Sequence, residues 1–132
     1  MKPVPIGSRH RQQIEIKHAH TADAFGNKGV TVVATPMLIG FLEGASHGAI
    51  APFFDEGEGS VGTLVNVRHL AAAPVGATIE VSAAVTAVKG RQVEFAVEAH
   101  WNDTPLMTGT HGRAVIDLAR FREKLGIKPE GS

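Results

Sequence analysis

One carboxylate, Glu43, stands in a stretch that is otherwise nearly free of charge, Thr35-Pro-Met-Leu-Ile-Gly-Phe-Leu-Glu-Gly-Ala-Ser-His-Gly-Ala-Ile-Ala-Pro52. Burying a carboxylate without partners costs several kcal/mol, so its place there calls for an explanation. Either backbone N–H groups or a cation such as Arg113 pair with it, or it serves as a general base or nucleophile with a raised pKa. His69 falls on the apolar face of a following alternating segment and would bring a base into the same core as this acid. Thr35 precedes Pro36 and reads as the N-cap of a helix, its hydroxyl accepting from an orphan N–H. The same helix end offers free N–H groups and positive dipole character to a developing oxyanion. Eight residues of straight helix separate Thr35 from Glu43 by roughly 12 Å of rise. They can share a centre only if the helix breaks, for which Gly40 is suited, or if they meet across subunits.

The remaining histidines carry weaker signals. His18 and His20 form a His-x-His pair on an expected strand face, but no third metal ligand follows at a clear spacing. His47 lies one turn after Glu43 and could bond it or a neighbouring strand. His111 and Arg113 share a face of the last strand, and Arg113 is the best cationic partner for a buried group. Gly26-x-x-Gly29 and Gly57-Glu-Gly59 lack the strand-to-helix context of a phosphate loop.

The elements that must position these groups follow from hydrophobic periodicity. The stretch from Thr35 to Pro52 is apolar nearly all round and predicts one long buried helix. Ile14 to His20 reads as a first strand, and Thr21 to Val33 as an irregular loop able to cover a pocket. Alternation then places Val61, Thr63, Val65, Val67 and His69 on one strand face. It does the same for Ile79, Val81, Ala83, Val85 and Ala87, and for Val93, Phe95, Val97, Ala99 and Trp101. Turn signals at Lys89-Gly90 and Asn102-Asp103 imply antiparallel hairpins. A strand from Leu106 to Leu118, a short helix from Leu118 to Leu125 and a polar tail complete the chain. The expected α+β architecture is an antiparallel sheet of about five strands curled around the helix, with a second copy covering the rest in a homodimer.

The chain has 132 residues, read as a single domain, 1-132, with 1-12 a loose N-terminal segment and 126-132 a polar tail. Thirteen Lys and Arg against 13 Asp and Glu leave no excess of positive charge for nucleic acid. The absence of cysteine excludes disulfides, a thiolate nucleophile and Cys-based zinc sites. Without a signal-peptide-like or membrane-spanning run, a cytoplasmic protein away from membranes is expected.

Four segments together resemble a known family. They are Ala34-Thr-Pro-Met-Leu-Ile-Gly-Phe-Leu-Glu43, Ala51-Pro-Phe-Phe-Asp-Glu-Gly-Glu-Gly-Ser-Val-Gly-Thr63, His69 with Pro74-Val-Gly76, and Gly109-Thr-His-Gly-Arg-Ala-Val-Ile116. The chain from about Val33 to Phe121 is similar to the fluoroacetyl-CoA thioesterase type of hotdog-fold thioesterases. The resemblance implies a hotdog fold and hydrolysis of a small acyl-CoA to free acid and CoA, at a pocket on a homodimer interface. It puts Thr35, Glu43 and His69 in the catalytic roles, with Gly62 and Arg113 supporting the site or the substrate. It implies no metal and no separate cofactor, CoA being part of the substrate. The fluoroacetyl-specific enzyme resembles this chain least before the helix, where it has an aromatic lid; Thr21 to Ala34 holds a single aromatic, Phe25. An alternative on the same fold is a non-catalytic acyl-CoA binding or sensing module. A hydratase would want an Asp and a His near the helix start, and Thr35 to Gly40 contains neither.

Overall fold

Interior strands show most directly how this sequence makes its sheet. In a computed structural model, which describes residues 1–128, β3 (Thr78–Lys89) and β4 (Gln92–Trp101) bury the alternate residues Ile79, Val81, Ala83 and Val85, and Val93, Phe95, Val97 and Ala99. Period-two alternation sends one set of side chains to each face of a sheet. The inward sets meet one face of α1 (Thr35–Ile50), where Leu38, Leu42, Ala45, Ala49 and Ile50 are buried. β1 (Arg9–Glu15), β2 (Glu58–His69) and β5 (Thr104–Asp117) complete a wholly antiparallel five-stranded sheet in the order β1-β3-β4-β5-β2. The expected architecture of five strands and one long helix is the one observed.

Both hairpins form at the expected turns. Gly90, at φ +60°, lets the chain reverse between β3 and β4, and Asn102, at φ 52°, does so between β4 and β5. α2 (Leu118–Leu125) begins where Asp117 accepts from the backbone N–H of Arg120 at 3.0 Å and ends at left-handed Gly126. Of the expected tail, 126–132, residues 129–132 lie outside the described residues.

Several expectations need correction. β1 runs over Arg9–Glu15 rather than from Ile14 to His20, because pairing with β3 from Arg9↔Ala84 to Glu15↔Thr78 defines it. His18 to His20 form a short 3₁₀ turn instead of a strand face. The segment 1–12 is not loose. Lys2 N–H donates to Phe53 O, Gly7 N–H to Val85 O, Val4 is buried, and the strand already begins at Arg9.

α1 is also not covered all round. Leu38, Leu42, Ala45 and Ala49 are buried, whereas Pro36, Gly40 and Gly44 are exposed along one stripe. β2 is an edge strand with β5 as its neighbour. It carries a bulge between Gly62 and Leu64, so Thr63 has no register partner on β5. A bulge of this kind bends the strand and shifts which side chains face which way. Most of β2 from Gly62 onward is therefore exposed in the single chain, and of the expected inward set only Val61 and Val67 are half-buried: Val65 is 47% exposed, and Thr63 and His69 are exposed too. Among the described residues no helix is long and apolar enough to cross a membrane.

Candidate active site

The helix start differs from the sequence reading in a way that matters for chemistry. Ala34, with extended backbone at ψ 142°, is the N-cap, and Thr35 is the first helical residue with Pro36 behind it. The Thr35 hydroxyl makes no capping bond. Its Oγ1 lies instead 2.8 Å from Nδ1 of His69, at the end of β2. The first-turn N–H groups of Thr35 and Met37 have no intrahelical partner, so a hydroxyl, an imidazole and the positive end of α1 converge at one exposed place. His69 is not the buried base that strand alternation suggested.

Glu43 is held elsewhere. α1 is helical without interruption from Thr35 to Ile50, so Gly40 does not break it. The rise of roughly 12 Å between Thr35 and Glu43 therefore stands, and Thr35 serves a place distinct from its own Glu43. Glu43 Oε2 accepts from Arg113 Nη1 at 3.2 Å and lies 3.9 Å from His111 Nε2. The Glu43 side chain is 40% exposed while that of Arg113 is only 10% exposed. The pairing with Arg113 expected for a sequestered carboxylate is present, yet the carboxylate keeps an open side.

Gly62 explains how the two elements come this close. A Cβ built there would sit 2.6 Å from Glu43 Oε2 and 3.3 Å from His111 Cε1. The bulge begins at this residue, which pairs with Arg113 across the ladder.

Arg113 is tied on its remaining sides. Its Nε donates to Ser60 Oγ at 2.8 Å, and its Nη2 donates to the Ser60 carbonyl at 3.0 Å. Ser60 Oγ also lies 2.8 Å from His47 Nδ1, and His111 Nδ1 lies 2.7 Å from the Leu64 carbonyl. A carbonyl can only accept, so His111 carries its proton on Nδ1 and leaves Nε2 to accept from Arg113 Nη1 at 3.2 Å. Burial pulls the His111 pKa below the ordinary histidine value, and the Arg113 charge acts the same way, against the Leu64 carbonyl and Glu43. Burial, then the Arg113 charge, likewise lowers that of His47. Burial also lowers Arg113, opposed by Glu43, but a guanidinium remains charged at neutral pH.

His47 thus bonds the neighbouring strand and not Glu43. Ser60 is not singled out by the sequence; it sits in a polar, Gly-rich run within the Ala51 to Thr63 segment. His18 pairs with Asp23 at 3.0 Å, and His20 Nδ1 accepts from Lys17 N–H at 3.0 Å, so each has a protein partner of its own. Among the described residues no three His, Cys, Asp or Glu side chains are grouped to hold a metal ion. A cleft of about 760 Å³ lies between β5 and α2 and touches none of the site groups, whereas the gap bordered by Glu43, Ile39, Val65 and His111 is only about 10 Å³. The chemistry-bearing groups matter more here than the larger hollow, because the hydroxyl, imidazole and carboxylate lie outside it.

Comparison with known proteins shows the family of the chain. Residues 16–119 match the family described as fluoroacetyl-CoA-specific thioesterase. A fluoroacetyl-CoA thioesterase from Streptantibioticus cattleyicolor is 43% identical over 97 residues, covering 74% of this chain and 70% of that protein. A crystal structure of a variant of the fluoroacetyl-CoA-specific thioesterase FlK superposes with a TM-score of 0.89 at 32% identity, covering 96% of this chain and 98% of the other. Another FlK variant, solved with acetyl-CoA, gives 0.88 at 33% identity, with 92% and 96% covered. The chain accordingly belongs to the fluoroacetyl-CoA-specific thioesterase family, on a hotdog fold.

Proposed function

We propose that this protein is an acyl-CoA thioesterase that hydrolyses a small acyl-CoA to free acid and CoA, at centres built from Thr35, Glu43 and His69 with Gly62 and Arg113 in support. The observation that carries the reading is the Thr35–His69 bond at the open end of α1. A thioester carbonyl oxygen set against the Thr35 and Met37 N–H groups and the Thr35 hydroxyl would be polarised as negative charge develops on it. A carboxylate then either takes a proton from a water that attacks the carbonyl carbon, giving the free acid directly, or attacks that carbon itself to form an anhydride that a water then hydrolyses to the free acid and the carboxylate. In either case carbon–oxygen bond formation is followed by carbon–sulfur cleavage, and His69 supplies the proton that the departing CoA thiolate needs. The fluoroacetyl-CoA thioesterase among the relatives, and the FlK variant solved in complex with acetyl-CoA, support the substrate class.

The carboxylate that completes each centre is Glu43 of a second copy. An unbroken helix keeps Thr35 away from its own Glu43. The exposed Pro36, Gly40 and Gly44 stripe and the open β2 edge, where Leu64 is 53% exposed, give a partner a surface to meet. The site groups therefore sit on a homodimer interface. The segment before the helix has Phe25 as its one aromatic, itself 56% exposed, in place of an aromatic lid, so selection for a fluoroacetyl group over other short acyl groups is not expected.

The test is CoA release from a panel of short acyl-CoAs, fluoroacetyl-CoA included, by wild type and Glu43→Ala. Release by wild type and a loss of at least about a hundredfold in the variant are expected, in line with removal of a group acting in the transition state. Wild-type rates in Glu43→Ala would overturn the assignment. Tight acyl-CoA binding with no thiol released by wild type would favour a binding module.

A further inference from the structure

Besides His111, the network behind Glu43 contains two side chains with no assigned part in the reaction, His47 on α1 and Ser60 on β2. We propose that His47 and Ser60 are positioning residues: together they fix the guanidinium of Arg113 and, through it, the carboxylate of Glu43. The inference rests on the thioesterase reading for its kinetic consequence and on geometry for its physical content.

Proton bookkeeping supports the assignment. Arg113 Nη1 has two protons and two acceptors, Glu43 Oε2 at 3.2 Å and His111 Nε2 at 3.2 Å. Nε has one proton and one acceptor, Ser60 Oγ, and Nη2 donates to the Ser60 carbonyl. The Ser60 hydroxyl accepts from Nε and has one proton to give. The acceptor in reach is His47 Nδ1 at 2.8 Å, and with that nitrogen unprotonated the bonds run from guanidinium to hydroxyl to imidazole. His47 is packed edge-on against Phe54, with ring centroids 5.4 Å apart, which holds its ring plane. The charged and titratable groups of this network are Glu43, His111 and Arg113, and the Arg113 charge disfavours a second cation at His47.

The consequence is a guanidinium that cannot rotate. Arg113 approaches Glu43 through a single nitrogen, and among the described residues none gives Glu43 Oε1 a hydrogen bond. A carboxylate gripped by one oxygen is oriented yet still has a free oxygen for chemistry. Loss of the Ser60 hydroxyl would free Nε, and loss of His47 would leave that hydroxyl untethered, so that the guanidinium could swing to grip both carboxylate oxygens or release them.

The experiment compares His47→Leu, Ser60→Ala and His47→Asn, whose Oδ1 stands close to where Nδ1 stood and can accept the Ser60 proton. Two readouts are taken: steady-state kinetics on a short acyl-CoA, and the Arg113 Nε–H signal in ¹⁵N-correlated NMR, which needs no turnover. His47→Leu and Ser60→Ala are expected to lower kcat about tenfold or more with KM changed less than about twofold, and His47→Asn to recover most of it. The Nε–H signal should be narrow and slow to exchange in wild type and His47→Asn, and lost in the other two. Wild-type kcat in both His47→Leu and Ser60→Ala overturns the proposal, as does an Nε–H signal unchanged in them. If no form of the protein releases CoA while the Nε–H signals behave as stated, the thioesterase reading falls and the fixing of Arg113 stands.

Discussion

At position 62 the lack of a side chain is what admits a carboxylate. A methyl group there would lie 2.6 Å from Glu43 Oε2, and the atom it meets is the far end of a flexible side chain. Glu43 would give way while the backbone stayed in place. Gly62→Ala is therefore expected to fold with a Tm within a few degrees of wild type and to lose roughly 10- to 100-fold in kcat, since a displacement of about 1 Å at a reacting group has that scale of effect. Thermal melts and CoA-release kinetics on the same preparation check it, and an unimpaired kcat would show that the position of the Glu43 carboxylate is unimportant. Residue types told much of this in advance: an isolated Glu, a His and a buried Arg stand out because each is expensive to place in an apolar core. Ser60 did not stand out, because a hydroxyl is inexpensive almost anywhere and its value lies in the two partners the fold brings to it.

Elements were legible where their own sequence decided them. β3 and β4 are interior strands with one face on the helix, so burial imposes alternation and alternation reveals the strand. β1 and β2 are edges. β1 is made of Arg9-His-Arg-Gln-Gln-Ile-Glu15, and its strand character comes from the neighbour it pairs with. β2 alternates in sequence, but the bulge after Gly62 and its place at the sheet edge leave Leu64 and Val65 in the open. A 12-residue edge strand with half-exposed Leu64 and Val65 invites pairing with another strand. Leu64→Lys, which puts a charge on that edge, should convert a dimer to a monomer by analytical ultracentrifugation and lower CoA release at least about tenfold, with the circular dichroism unchanged. A dimer that persists at full activity would locate the interface elsewhere.

For the whole molecule the question is which copy supplies which group. The uninterrupted α1 keeps Thr35 and His69 at one place and Glu43 with Arg113 at another. If each centre takes Thr35 from one copy and Glu43 from the other, then inactive Thr35→Ala and Glu43→Ala proteins should rescue each other. In a heterodimer one centre inherits both lesions and the other inherits none, so an equimolar exchanged mixture should recover about a quarter of wild-type activity. Centres built within single chains would recover nothing, and CoA release after subunit exchange distinguishes the two.

The same helix has a mechanical meaning. In the proposed dimer one rigid rod carries the hydroxyl of one centre at its first turn and the carboxylate of the other in its third. A shift of that rod toward a substrate at one end would displace the reacting group at the far end as well. The two centres would then share moving parts, and occupancy of one would be felt at the other without any ligand passing between them.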